Sequence, residues 1–268
     1  MRSDYTAIFQ DAGAVNKYEH EVYAPDTFSS AVNRRQREYL RRLARREFPV
    51  RRPVQHDFAC GTGRAIRTLH GLVRAAHGYD TSAAMLAKAG EVGAYAELHQ
   101  VPADGPVPAP ARTDGPALVT VFRLLLNVSA EVRERAIAFA AQALPTAGSG
   151  LLVVENHGNR HSLRHLRHRR WSGDSWFAEL SHAEVEDLLA RHGFAVVERR
   201  GFALLTKGWY ARRWLRPVAR LIDDLAARVP WLSNHCVNVL YVARRQRFAP
   251  PKSSLPAVSP THPDATTW

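Results

Sequence analysis

Two acids and two glycines, Asp57, Gly61, Gly63 and Asp80, share one short stretch of this chain. Asp57 closes a short apolar run that starts at Val54, and Gly61 and Gly63 follow at i, i+2 spacing. Glycine lets a backbone turn with φ > 0 and come close to a ligand. An amphipathic run, Ala65, Ile66, Leu69 and Leu72, begins directly afterwards. Strand, tight turn and helix in that order aim the helix N–H groups and the positive dipole end at whatever the turn holds. Asp80 ends the next apolar stretch, Val73 to Tyr79. An acid at that distance past a glycine turn suits a ribose diol, which offers two donors to one carboxylate. A dinucleotide pyrophosphate fits poorly: the third glycine of Gly-x-Gly-x-x-Gly is replaced by Ile66, and Asp57 would repel phosphate but attract a cation.

The run Asp57-Phe58-Ala59-Cys60-Gly61-Thr62-Gly63 resembles the first motif of class I S-adenosylmethionine-dependent methyltransferases, roughly Asp-hydrophobic-Gly-Cys-Gly-Thr-Gly. Asp80-Thr81-Ser82-Ala83-Ala84-Met85-Leu86 resembles the second, Asp-x-Ser-x-x-Met-Leu. The resemblance spans residues 53 to 246 and speaks for cofactor more than for substrate. It implies S-adenosylmethionine as cofactor, held by Asp57, Ala59, Gly61, Gly63, Asp80, Thr81 and Phe122. Ala103-Asp104 stands where the family places an adenine-contacting acid. Ala59 replaces the family's first glycine; being small, it is expected to be tolerated with slightly less room beside the cofactor. Such enzymes often carry an N-terminal helical cap whose tyrosine or arginine touches the cofactor carboxylate, which makes Tyr18 and Tyr23 candidates by resemblance.

The elements that must position these residues follow from periodicity. Strands are predicted near 54–59, 73–79, 96–101, 117–122 and 149–155, then 195–206 and 237–244. Helices are predicted near 62–71, 82–92, 129–144 and 181–192, with Ser129 and Ser181 as caps and Gly193 as a C-terminal stop. The expected fold is α/β and Rossmann-like, a doubly wound, mostly parallel seven-stranded sheet. Ligands on such sheets bind beyond the carboxyl ends of the strands. That rule gathers Asp57, Asp80, Asp104, Phe122-Arg123 and Asn156-His157 on one rim.

Residues 1–52 are read as a helical cap, 53–247 as the catalytic domain with a helical insertion at 209–231, and 248–268 as a proline-rich disordered tail. In the cap, Asp26 is a candidate N-cap. The helix from Ala31 to Phe48 buries Val32, Tyr39, Leu40, Leu43 and Ala44, with Arg34, Arg35, Arg37, Arg41, Arg42, Arg45 and Arg46 on its other faces. In the insertion, Pro217 suits a first helical turn. Val218, Leu221, Ile222, Leu225 and Val229 share one face, expected to pack on the domain. Arg220, Asp223, Asp224 and Arg228 share the other. A competing expectation, from arginines beside tryptophans, is contact with a bilayer or an apolar substrate.

The 46% hydrophobic content is enough for a packed core. No apolar run approaches a membrane span, and the N-terminus has no signal-peptide pattern. Two cysteines, Cys60 and Cys236, cannot build a disulfide framework and lack metal-ligand company, so reduced thiols, a cytoplasmic setting and no metal are expected. The net charge of +12 favours anionic partners. The densest basic run, residues 160–170, is either a solvated helix or an anion-attracting gate at the rim.

His157, at the rim after the fifth strand, is the candidate general base for a protonated acceptor, with Arg123, Glu155 and Asn156 as neighbours able to orient it. The fourth-strand region, Phe122 to Asn127, lacks the Asn-Pro-Pro-aromatic signature of nucleic-acid amino methylases. The expected activity is methyl transfer to an O or N atom of a small-molecule acceptor, such as a secondary metabolite. One alternative is an apolar or lipid-linked acceptor at a membrane surface. Another is a non-enzymatic RNA- or partner-binding protein of the same fold.

Overall fold

The structure is a computed structural model and describes residues 27–168 and 179–246, together with Gly13 and Val15. Tyr18, Tyr23, part of the basic run and the tail at 248–268 lie outside the described residues. The chain opens with α1 (Phe28–Glu47), β1 (Val54–Phe58), α2 (Arg64–Leu69), β2 (Ala75–Asp80), α3 (Ala83–Glu91) and β3 (Glu97–Gln100). It continues with β4 (Ala117–Val121), α4 (Ala130–Ala143), β5 (Gly150–Asn156), α5 (Leu163–His168), α6 (His182–Arg191) and β6 (Phe194–Phe202). Three helices, α7 (Lys207–Ala211), α8 (Arg216–Ala226) and α9 (Pro230–Ser233), separate β6 from β7 (Asn238–Arg245).

The strands form one seven-stranded sheet in the order β3-β2-β1-β4-β5-β7-β6. The first five strands in that order pair in parallel; β7 runs antiparallel to both β5 and β6. The central strands β1, β4 and β5 are buried throughout; β4 and most of β5 accordingly read as near-continuous apolar runs, whereas β1 carries the polar Gln55, His56 and Asp57 inside. Their side chains nonetheless divide between two cores. Val119, Val121, Leu152 and Val154 meet Ile137 and Phe139 of α4 and Leu188 of α6 on one face. Leu118, Leu151 and Val153 meet Leu40 and Leu43 of α1 and Leu69 of α2 on the other.

Helix ends follow local chemistry. Ser181 makes a capping box with Glu184, satisfying two orphan donors reciprocally. Thr27, not Asp26, is the N-cap of α1 and accepts from Ser30 N at 3.1 Å. Ser129 holds the N-cap position of α4 but makes no cap bond to the backbone; its side chain bonds Glu131 instead.

Two expectations about helix faces are corrected. Arg35 is not on a solvated face: it is buried, donating to Asp224 at 2.5 Å, to the Tyr210 hydroxyl at 3.2 Å and to the Arg220 carbonyl at 3.0 Å. Helix α8 is rotated so that Ala219, Asp223 and Ala226 face inward while Val218, Leu221 and Leu225 face outward. The cause is Asp223, whose carboxylate accepts from the Tyr210 hydroxyl at 2.6 Å and from Leu205 N at 3.0 Å. A polar cluster with these partners outweighs three leucine-type contacts, because leaving such groups buried and unpaired costs more than exposing the apolar stripe.

Candidate functional site

Parallel pairing sets Asp57 beside Gly78 of β2 and Thr120 of β4, so the carboxyl ends of β1, β2 and β4 open on the same side of the sheet. The chain leaves β1 through a turn in which Ala59, Gly61 and Gly63 all have positive φ, 58°, 53° and 75°. Gly63 is the N-cap of α2, and a Cβ there would lie 2.6 Å from the Ala94 Cβ, so only glycine lets α2 sit this close to its neighbour. Ala59 is a different matter. The expectation of slightly reduced room misses its main cost, which is an alanine held in the left-handed region. Arg123, φ 58°, is a second strained residue of the same site.

Above this turn lies an open cleft. Asp57, Ala59, Gly61, Asp80, Thr81 and Phe122 all line it. Asp80 is the most elaborately held. Its carboxylate accepts from Gly61 N at 2.7 Å and from Ser82 N at 2.9 Å, so the glycine turn and the second motif are tied together through one side chain. Asp57 is buried and accepts from the Thr120 hydroxyl at 2.5 Å. Burial pushes the Asp57 carboxyl up to about 7, with Asp80 adding to the rise and Thr120 and Arg64 opposing it. Burial also raises Asp80, against the pull of its backbone donors. Two carboxylates that are reluctant to ionise alone, Asp57 buried and Asp80 half-buried, form a site that gains from a ligand bringing positive charge and hydroxyl donors.

Other residues named from the sequence fall elsewhere. Gly63 shapes the turn without lining the cleft. Ala103 and Asp104 sit in the exposed loop after β3, away from the lining, with the Ala103 carbonyl taken by Arg135. His157 does not reach the cleft. It is buried, with Nε2 3.3 Å from Asn127 Nδ2, and Asn127 is the residue that faces the cavity. Burial, then Arg123, lowers His157 to about 3, so the ring is neutral near neutral pH.

Glu155 and Asn156 are structural rather than substrate-facing. Glu155 is fully buried and accepts from Gln36 Nε2 at 2.7 Å, Asn238 Nδ2 at 2.9 Å and Arg123 N at 3.1 Å. Against the upward push of burial, Arg64, His157 and Arg123 hold it down to about 2. Asn156 bonds the Leu180 carbonyl and Gly158 N.

The sequence reading overlooked Arg64, Met85 and Asn127, which also line the cleft. Arg64 is set by α1, donating to Asn33 Oδ1 at 3.1 Å and Gln36 Oε1 at 3.2 Å, with Glu155 3.5 Å away. Its position directly after the last glycine of the turn, at the start of α2, was the available signal. Of the two readings of the run from Arg160, the anion gate loses ground among the described residues, because Arg160 pairs with Glu184 and Arg164 with Glu179. Among the described residues, His77, Glu97 and His99 on the β2–β3 edge are the one trio with metal-ligand donors within 4.8 Å of one another. None of them lines the cleft, and the two rings already meet, His77 Nδ1 to His99 Nε2, at 3.3 Å.

The sequence matches no protein-family profile and no curated protein sequence. Solved structures do match. Magnesium protoporphyrin IX methyltransferase (ChlM) from Synechocystis PCC 6803 with bound SAH superposes at a TM-score of 0.58 and 13% identity, over 90% of this chain and 97% of that one. The same enzyme with bound SAM gives 0.56 and 12%, over 90% and 95%. The DhpI–SAH complex gives 0.52 and 18%, over 89% and 96%. The described sheet, with its single antiparallel strand between β5 and β6, thus takes the Rossmann-like fold of class I S-adenosylmethionine-dependent methyltransferases.

Proposed function

We propose that this chain transfers a methyl group from S-adenosylmethionine to an oxygen or nitrogen of a small-molecule acceptor. One observation carries the reading: Asp57 and Asp80 face one cleft across a left-handed glycine turn, with Asp80 anchored to Gly61 N and Ser82 N. The donor set fits the cofactor's chemistry, which combines a ribose diol with positive charge. The ChlM structures, which hold SAH and SAM in the same fold, support it.

When bound, S-adenosylmethionine supplies a methyl carbon on a cationic sulfur. The chain's own contribution is binding and alignment. Asp80, held by the Gly61 and Ser82 N–H groups, would hold the cofactor's ribose hydroxyls. Asp57, raised to about 7 by burial, would be held in its charged form by a cationic group bound beside it, because an opposite charge at close range favours the carboxylate. Phe122 and Met85 give the cleft apolar walls that exclude water, and Arg123 and Asn127 supply polar atoms able to orient an acceptor. Among the described lining residues there is no histidine, so alignment of the reacting atoms supplies the acceleration in this reading rather than a histidine base.

The test is incubation of the protein with methyl-labelled cofactor and a panel of small-molecule acceptors. Label is expected on an oxygen or nitrogen of an acceptor, and not with Asp80→Ala. A protein that binds the cofactor but labels only RNA, or nothing, contradicts the proposal.

A further inference from the structure

Helix α8 and its flanks present an apolar surface that the fold does not cover. Val218, Leu221 and Leu225 follow at i, i+3 and i+7, one helical stripe, and are 49%, 60% and 51% exposed; Trp214, in the turn before the helix, is 73% exposed. Trp231, in α9, is a second exposed indole at 67%. Most amphipathic helices bury such a stripe in their own domain. Here the opposite face is the buried one, and rotation is prevented by named contacts. Asp223 is held by Tyr210 and Leu205 N, Asp224 by Arg35, and the Arg220 carbonyl by Arg35 as well. The outward stripe is therefore a consequence of the native polar core, not of a loosely attached helix.

The charges around the stripe identify what it meets. Lys207, Arg212, Arg213 and Arg228 of the same segment are exposed, with Arg216 and Arg220 half-buried. The acids of the same segment, Asp223 and Asp224, are turned toward Arg35. An apolar stripe containing tryptophan and leucine, edged by arginine and lacking free acid, matches the boundary between headgroups and acyl chains of an anionic bilayer. A second copy of this chain is a poor complement, since each carries a net charge of +12 and the patch itself is cationic. A nucleic acid would satisfy the arginines but offers no apolar layer for Leu221 and Leu225.

We infer that the α8 face docks this protein onto anionic lipid membranes. No described helix is long and apolar enough to cross a membrane, so the attachment is peripheral. Docking also has a route to the cleft. Arg35, which anchors α8, is followed in α1 by Gln36, which bonds Arg64 on the cleft wall. One helix, α1, thus contacts both α8 and the cleft wall, an arrangement that suits an apolar or lipid-linked acceptor. That last step rests on the proposed methyl transfer, whereas the docking itself does not.

The experiment is flotation of the full-length protein with vesicles of phosphatidylcholine plus phosphatidylglycerol, against phosphatidylcholine alone. The protein is expected to float with the anionic vesicles, less with the neutral ones, and less again in high salt. The double variant Leu221→Asp, Leu225→Asp, altered only at exposed positions, should keep the native melting temperature and S-adenosylmethionine affinity. Its partition onto anionic vesicles should fall about tenfold or more, since two apolar anchors become charges. Arg212→Ala with Arg213→Ala should lose the anionic preference. Absence of flotation overturns the inference. So does flotation indifferent to the leucine substitutions, which would mean attraction by charge alone. Concentration-dependent dimers abolished by the same substitutions also overturn it, and assign the face to a second copy.

Discussion

Replacing Asp57 by Asn is expected to make the protein more stable at neutral and alkaline pH while weakening its site. In the folded chain burial holds the Asp57 carboxyl near 7, against 3.8 for the free group. Between those values the native state keeps a proton that the unfolded state has released, so stability falls as pH rises from about 4 to about 7 and levels off above. The gap of roughly three units, at about 1.4 kcal/mol per unit, corresponds to about 4 kcal/mol at most. Asparagine removes this term, and its carbonyl oxygen can still accept from the Thr120 hydroxyl that Asp57 engages at 2.5 Å. The assay is urea unfolding of both proteins at about pH 5 and about pH 8. The variant's advantage should widen by about 2–3 kcal/mol between the two, because other titrating groups cancel in the comparison. Affinity for a cationic ligand should fall. A difference independent of pH, or a variant less stable than the native protein at about pH 8, would refute the assignment of Asp57 as a buried acid held for a ligand.

Ala59→Gly should stabilise the protein by about 1 kcal/mol, since the φ of 58° costs a Cβ-bearing residue roughly that much; thermal unfolding that shows no gain would mean that the turn relaxes around alanine. Asp223→Ala should cost about 3 kcal/mol, because it strips the Tyr210 hydroxyl and Leu205 N of their acceptor and leaves the buried Arg35 with Asp224 as its one carboxylate partner among the described residues. A chemical denaturation midpoint unchanged by that substitution would contradict the account of how α8 is oriented.

The order of elements from β1 to β6 was legible because the central strands are buried on both faces and each helix end carries its own signal, as at Ser181 with Glu184. The cleft lined by Asp57, Gly61 and Asp80 was legible because these residues carry local geometry in their spacing, and the parallel register brings them together. Orientation over long sequence distances was not. Periodicity tells which residues of α8 share a face, and Leu221 and Leu225 do. Which face is buried depends on Arg35, a residue on another helix. His157 shows the same limit. The end of β5 was placed well, but whether the ring points into the cleft or behind Asn127 is decided by packing from the loop after β4. Asp104 failed differently, because β3 is short and the loop after it turns the acid to solvent.

Equilibrium binding of S-adenosylmethionine to the intact protein and to Asp80→Ala, measured by calorimetry, tests the central claim most directly. The account predicts binding by the native chain, weakened by about 1–3 kcal/mol in the variant, the cost of losing a charged hydrogen-bond partner of the ribose. Tight binding of a nicotinamide dinucleotide with no S-adenosylmethionine binding, or S-adenosylmethionine binding that Asp80→Ala leaves unchanged, would contradict it.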